Sequence, residues 1–314
     1  MPDQPGPSMS ELDQRLQTHP GVLCELLRHL RSLLPGDFEW LEEEAIEVAS
    51  DHPFDAGGTA DILIGTMGNR KVAIKRYRLH SFSDYLPTYV VYRQGFCNEA
   101  LACSRFTNQN FVPFIGIYST PKYPMCLVFE CMDHLNLKEY LRKNEHVGRR
   151  ELLLEVARAV EHLHKADVIH KNLKITNVLI DADGHAHVGG FGAAFLPSGT
   201  PGMDIDRFFH GSAPELVGIQ RFWSVGTGAT KATDVYAFGV LAWEMFAGQV
   251  PFSSETKVAA VFSMWKGRRP ARPDHSELSG RLWRMIERCW KANPAQRMTI
   301  AEVVVTLESE VAAH

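Results

Sequence analysis

The chain has 314 residues, 45% of them hydrophobic and 22% charged, enough to bury a sizeable core in about two domains or lobes. Its 33 Lys and Arg against 37 Asp and Glu give a net charge of -4, which offers no extended cationic surface for a phosphate backbone and speaks against nucleic-acid binding. The six cysteines show no C-x-x-C pair or zinc-ligand spacing, no apolar run reaches the roughly 18 residues of a membrane span, and residues 1–10 are too polar for a signal peptide, which together point to reduced thiols in the cytoplasm, with the nucleus as an alternative.

Residues 1–50 form a separate segment with a disordered start and a helical pattern. Leu23, Leu26, Leu27, Leu30, Leu33 and Leu34 fall on one stripe that Pro35-Gly36 ends, and a second helical piece is expected over Glu42 to Ala49. This segment could cap the next domain, oligomerise, or lie on a membrane surface through Arg28 and Arg31. A domain over 54–313 follows, divided into lobes at 54–132 and 133–313. Its first part reads as short strands, Ala60 to Ile64, Lys71 to Arg76, Phe114 to Tyr118 and Met125 to Phe129, with one helix around Asn98 to Phe106. Its second part reads as helices, Leu137 to Lys143, Arg150 to Lys165, Thr233 to Ala247, Lys257 to Lys266, Leu278 to Lys291 and Thr299 to Ala312.

Distinctive strings sit on this frame. Val72-Ala73-Ile74-Lys75 is a strand ending in lysine, preceded by a loop containing Gly57 and Gly58 and followed by Glu99 on the expected helix. The run from Val168 to Ile180 contains His170, Asn172, Lys174 and Asn177, and an Asp183-Gly184 turn leads to Val188-Gly189-Gly190-Phe191-Gly192. Further on come Ala213-Pro214-Glu215, then Asp234 to Gly239, then Cys289-Trp290 with Pro294 and Arg297. Together these motifs resemble the eukaryotic protein kinase-like superfamily, in its tyrosine-kinase-like group, from about Phe54 onward.

The resemblance implies an α+β, bilobal protein kinase-like fold, with a small antiparallel sheet and one helix in the N-lobe and a larger helical C-lobe. In that family the position of Lys75 holds nucleotide phosphates and that of Glu99 orients the lysine through an ion pair. The implied nucleotide set is Gly57, Gly58, Ile62, Ala73, Lys75, Glu99, Phe129, Glu130, Met132, Asn177 and Leu179, with Phe129 guarding the back of the adenine pocket and Glu130 to Met132 as the hinge. Asp55 and Ala60 stand at two of the loop's usual glycine positions. His170, Phe191, Glu215, Asp234 and Arg297 match scaffold residues, and Lys171 replaces an arginine that often receives an activation-loop phosphate, for which Ser198, Thr200 and Ser212 are available.

Two positions depart from the family's pattern. Asn172 replaces the aspartate that takes the substrate's proton, and an amide accepts a hydrogen bond but no proton at neutral pH. Gly190 replaces the aspartate that holds metal, leaving Asn177 as the remaining magnesium residue. Asp181, Asp183, Asp204 and Asp206 are expected to lie too far away to substitute, and His185 and His187 are expected to be structural. The expectation is a pseudokinase that acts as an intracellular signalling scaffold or allosteric partner of unidentified signalling proteins, with ATP as the ligand to test and magnesium in doubt. Two alternatives stay open: an active protein kinase with an atypical site, using Lys174 and Asn177, and an oligomeric or membrane-associated effector driven by the N-terminal helices.

Overall fold

Residues 38–56, 60–78, 86–193, 211–217 and 228–313 are described in the computed structural model. The leucine stripe from Leu23 to Leu34, the loop glycines Gly57 and Gly58, and Ser198, Thr200, Asp204 and Asp206 lie outside these residues. The described residues divide into two compact units, one of 38–107 with 113–131 and the other of 108–112 with 132–313.

The first unit is built on a sheet of β1 (Trp40–Leu41), β2 (Glu47–Val48), β3 (Asp55–Ala56), β4 (Ala60–Met67), β5 (Arg70–Tyr77), β6 (Phe114–Tyr118) and β7 (Cys126–Glu130). The spatial order is β1-β6-β7-β5-β4-β2, with β3 also on β4, and every pairing is antiparallel except β1 with β6. Leu63, Val72 and Ile74 alternate with more exposed neighbours along their strands, as a half-buried pleated surface requires, and meet Ile46, Tyr118, Tyr123 and Val128 of the more fully buried β7 in one core. The one α-helix of this unit among the described residues, α1 (Leu86–Arg105), is longer than the stretch expected from Asn98 to Phe106.

The helical reading of Glu42 to Ala49 is corrected: only Glu43–Ala45 forms a turn of 3-10 helix, and Glu47–Val48 is a strand paired to Thr66 and Gly65. Tertiary pairing here overrides the helix propensity of a Glu/Ala run. Gly65 permits that pairing, because a Cβ there would stand 2.8 Å from the Glu47 carbonyl oxygen. Trp40–Leu41 and Glu47–Val48 are thus strands of the sheet.

The second unit holds α2 (Leu137–Lys143), α3 (Arg149–Lys165), the hairpin β8 (Val178–Ile180) and β9 (Ala186–Val188), α4 (Pro214–Val217), α5 (Lys231–Ala247), α6 (Lys257–Trp265), α7 (Gly280–Cys289) and α8 (Ile300–Ala312). Side chains cap the helices where backbone N–H groups would go unpaired: Asn136 accepts from Glu139, Thr256 from Ala259, Ser279 from Leu282, and Thr299 forms a capping box with Glu302. Helix α5 is the axis of the unit, buried from Thr233 through Trp243, consistent with its nearly continuous apolar sequence. The two units have the α+β composition of a bilobal kinase-like fold, an antiparallel-rich sheet with one helix and a larger helical body. No helix among the described residues is long and apolar enough to cross a membrane.

Arg297 ties α4 and the start of α5 to the loop before α8. Its guanidinium forms a fork with Glu215 at 2.7 and 2.8 Å and donates to the carbonyls of Lys291, Ala292 and Ala232, so that all five N–H groups are used. The Tyr236 ring lies 4.9 Å from the guanidinium carbon. Arg297→Ala is expected to destabilise the chain by about 3–5 kcal/mol in a urea titration, since it strands a carboxylate and three carbonyls at once. Glu215→Gln should cost clearly less, because the backbone acceptors of Arg297 remain.

Candidate functional site

The sheet unit carries one set of residues. Lys75 lies on β5, opposite Ile62 of β4 and Leu127 of β7, and its Nζ reaches Glu99 Oε1 and Oε2 of α1 at 2.7 and 2.6 Å. Glu99 is almost fully buried and also accepts a hydrogen bond from the Tyr77 hydroxyl. Tyr77, two residues beyond Lys75, shares its face of the strand: the Lys75 ammonium lies 5.4 Å from the Tyr77 ring centre, and Phe96 of α1 meets that ring edge-on at 5.5 Å. Burial, helped by the nearby Glu99 charge, pushes the Cys103 thiol well up, so it is an inert core residue and not a nucleophile.

Ala73 pairs with Phe129, whose buried ring packs at 5.5 Å on Phe114. At the end of β7 the Glu130 N–H donates to Pro113, and the Cys131 N–H to Lys71. Asp61, buried on β4, receives Arg76 at 3.0 Å and Arg78 at 3.0 and 2.6 Å. Burial pushes its carboxyl up, but the two guanidinium partners outweigh that and hold it below the ordinary range. Sequence reasoning missed both Tyr77 and this triad, for no local pattern links Tyr77 to a glutamate 22 positions away.

The helical unit carries the second set. The Asp234 carboxylate, buried at the start of α5, accepts the backbone N–H groups of His170 and Lys171 at 2.8 and 2.9 Å and the His164 ring at 3.0 Å. Lys171 is thereby held at φ +64°, and burial lowers its ammonium pKa against the pull of Asp234. The Asn172 N–H donates to His170 Nδ1, which places the ring proton on Nε2 and directs it to the Gly189 carbonyl at 3.0 Å. Phe191 is buried with its ring centre 5.0 Å from His170 and 5.6 Å from Phe111. Lys174 accepts the Asn177 N–H on its carbonyl at the turn Ile175–Asn177, Met132 is buried at the start of the unit, and Leu179 is half-buried on β8.

Asn177 and Gly190 meet directly. The Asn177 Nδ2 donates to the Asn172 carbonyl at 2.7 Å, and the Gly189 N–H donates to the Asn177 carbonyl at 2.8 Å. A Cβ on residue 190 would stand 2.6 Å from that same Nδ2 and 2.7 Å from Cγ. Gly190 itself adopts φ +83°, a conformation that L side chains rarely take. The Asn177 amide therefore fills the place from which a side chain at 190 would have to start.

The hairpin leading to Gly190 is held at its turn. Asp181 accepts the N–H groups of Asp183 and His185 and contacts His187 Nε2 at 2.8 Å, so it caps the turn. Glu155 of α3 binds His185 Nδ1 and the Ala186 N–H, each at 2.7 Å. Both histidines thus have protein partners, and among the described residues no three His, Cys, Asp or Glu side chains converge as a metal site. Hydrogen bonding to Glu155 raises the His185 pKa above its ordinary value.

With this geometry in place, the chain can be set beside known proteins. The family model for protein tyrosine and serine/threonine kinases matches residues 56–307, and the chain belongs to that family. It is similar to the serine/threonine/tyrosine-protein kinase HT1 of Arabidopsis thaliana, 30% identical over 283 residues that cover 87% of this chain and 69% of the relative. It is similar also to the serine/threonine-protein kinase STY46 of the same plant, 27% identical over 263 residues, 82% of this chain and 43% of the relative. The dual specificity protein kinase pyk3 of Dictyostelium discoideum is 25% identical over 268 residues, 84% of this chain and 18% of the relative. The chain thus spans less than half the length of STY46 and pyk3.

Two outcomes follow from the site geometry. Gly190→Ala should destabilise by about 1–3 kcal/mol, from left-handed strain plus the clash with Asn177. Adding Asn177→Gly should recover the steric part, so a double-mutant cycle is expected to show clear coupling and simple additivity would contradict the described contact. For the hairpin, a folded-state pKa of His185 above its unfolded value means that the stabilisation is fully present below the unfolded pKa and is lost as pH rises through the folded one. Amide exchange at 186–188 should therefore quicken as pH is raised past the His185 titration, after correction for the intrinsic rate, and Glu155→Gln should flatten that dependence.

Proposed function

We propose that this chain is a pseudokinase: a kinase-family domain that does not transfer phosphate at signalling rates and works as a scaffold or allosteric partner for other signalling proteins. The observation that carries the reading is the Asn177 amide lying against Gly190. In the family's pattern these two positions hold magnesium. Here one has no side chain, and the other donates its amide N–H to Asn172 in the space the first would need. The Asn177 amide oxygen is then the one side-chain ligand left where the family's pattern uses two, too few to hold magnesium as that pattern does, and no step is derived through it.

The magnitudes favour lost turnover. Proton transfer by a positioned group contributes typically about 10² to 10⁴ in rate, and charge neutralisation by metal several kcal/mol more. Kinases turn over at about 1–100 per second, so a combined loss of about 10⁵ leaves less than about 10⁻³ per second. ATP itself fits Lys75, whose ammonium is held in place by Glu99 and supplies a fixed cation for phosphate. The reading therefore includes ATP binding that does not depend on magnesium.

An active enzyme is the second reading, favoured by the paired Lys75 and Glu99 and by relatives that bear kinase names. Thermal shift with ATP, with and without magnesium, run beside phosphate transfer from labelled ATP, separates the two. The pseudokinase reading expects a rise in melting temperature with ATP alone, unchanged by magnesium and abolished by Lys75→Ala, with transfer at background. Transfer at ordinary kinase rates that Lys75→Ala abolishes would establish the second reading instead.

A further inference from the structure

The helical unit has a pocket of about 550 Å³ that is not lined by Lys174 or Asn177, formed by α2, the start of α3 and the C-terminal end of α5. Leu141, Ile175, Met245 and Val250 give it an apolar wall. Glu244, in the last turn of α5, lines it as well, and its carboxylate makes no hydrogen bond or ion pair with any described residue. A partly exposed carboxylate facing a concave apolar surface, with no partner among the described residues, is a group left for something else to satisfy.

The charges around Glu244 are mostly committed elsewhere. On α2, Arg142 is paired with Glu139 at 2.9 Å. At the start of α3, the Arg149 guanidinium donates to the carbonyls of Met245 and Glu145 and reaches Glu277 at 3.6 Å. His275 accepts the Glu277 N–H on Nδ1, and burial, with the Arg149 charge, lowers its pKa, which favours the neutral ring. Lys138, Glu145 and His146 are exposed at the rim. The end of α5 adds the negative pole of a long helix, where the Arg149 side chain already binds one carbonyl.

We propose that this pocket binds an alkylammonium group, with Glu244 as its counter-ion and the apolar wall covering its short stem. Burial holds the free Glu244 carboxyl up at about 7, against the lowering effect of Lys138, so the entering cation displaces a proton. The ammonium belongs either to a free amine or to a lysine side chain of another protein, since both present the same chemistry. The proposal is independent of the pseudokinase reading, because no residue it uses handles nucleotide.

The test is methyl NMR on the full chain labelled at isoleucine and methionine, watching Ile175 and Met245 while n-butylammonium, butan-1-ol or a lysine-containing peptide is added. Saturable shifts are expected with butylammonium and not with the alcohol, about tenfold weaker near pH 6 than near pH 8 as the carboxyl titrates. Glu244→Gln should abolish both the binding and its pH dependence, and Lys138→Ala, an exposed change that leaves the fold intact, should tighten binding several-fold. If Glu244→Gln fails to fold, the Lys138→Ala and pH arms decide. Tighter binding of the peptide assigns the ligand to a protein lysine, and tighter binding of butylammonium assigns it to a free amine. Equal binding of amine and alcohol, amine binding that survives Glu244→Gln, or no saturable shift with either amine overturns the proposal.

Discussion

The buried carboxylate of Asp234 is the constraint on which the helical unit's candidate site rests. It is the first-turn acid of α5, a helix packed on nearly every face, so its position is as fixed as the core itself. From there it takes two consecutive backbone N–H groups, His170 and Lys171, which forces the loop through a left-handed residue that a lysine would not choose alone. The rest follows by contact: His170 donates its Nε2–H to the Gly189 carbonyl, and its ring packs on Phe191. One acid thus sets the main-chain path of both the loop with Asn172 and the strand end with Gly190.

None of these links uses the two side chains whose replacement sets this chain apart. The loop is held through backbone N–H groups, and Asn172 enters that network with its own N–H and carbonyl, not its side chain. Gly190 relates to its surroundings through φ and through the room it leaves for Asn177. A kinase frame can therefore persist physically without its chemistry, because the hydrogen bonds that fold the site and the carboxylates that would run it are different groups.

Much of this frame was legible in the sequence because it rests on strong local signals. Leu137–Lys143 and Phe114–Tyr118 have the bounds their patterns suggest, the first stopped at its start by the Asn136 cap. Asp234, His170, Arg297 and Glu215 occupy distinctive strings, and in the structure Asp234 accepts the His170 N–H while Arg297 grips Glu215. What could not be read depends on three-dimensional coincidence: the Glu42 to Ala49 stretch became strand because Gly65 offers a close neighbour, and the missing aspartate at 190 proved to be a place already taken by Asn177. Glu244 gave no signal either, since an acid on an apolar helix looks the same whether it is paired or waiting for a partner.

The Lys75 and Glu99 pair is often the strongest argument for a working site, and here it carries less weight than its geometry suggests. Glu99 is about 1% exposed, and removing one partner of a buried pair costs about 3–5 kcal/mol because the other charge is left without compensation. A chain that keeps α1 against its sheet thus needs a cation at 75 whether or not phosphate is ever moved. The Tyr77 hydroxyl points the same way, since a second donor on Glu99 strengthens the anchor of α1. The stability of the sheet unit is reason enough to keep the pair, which can hold a phosphate without transferring it, so the question of catalysis turns on Gly190 and Asn177.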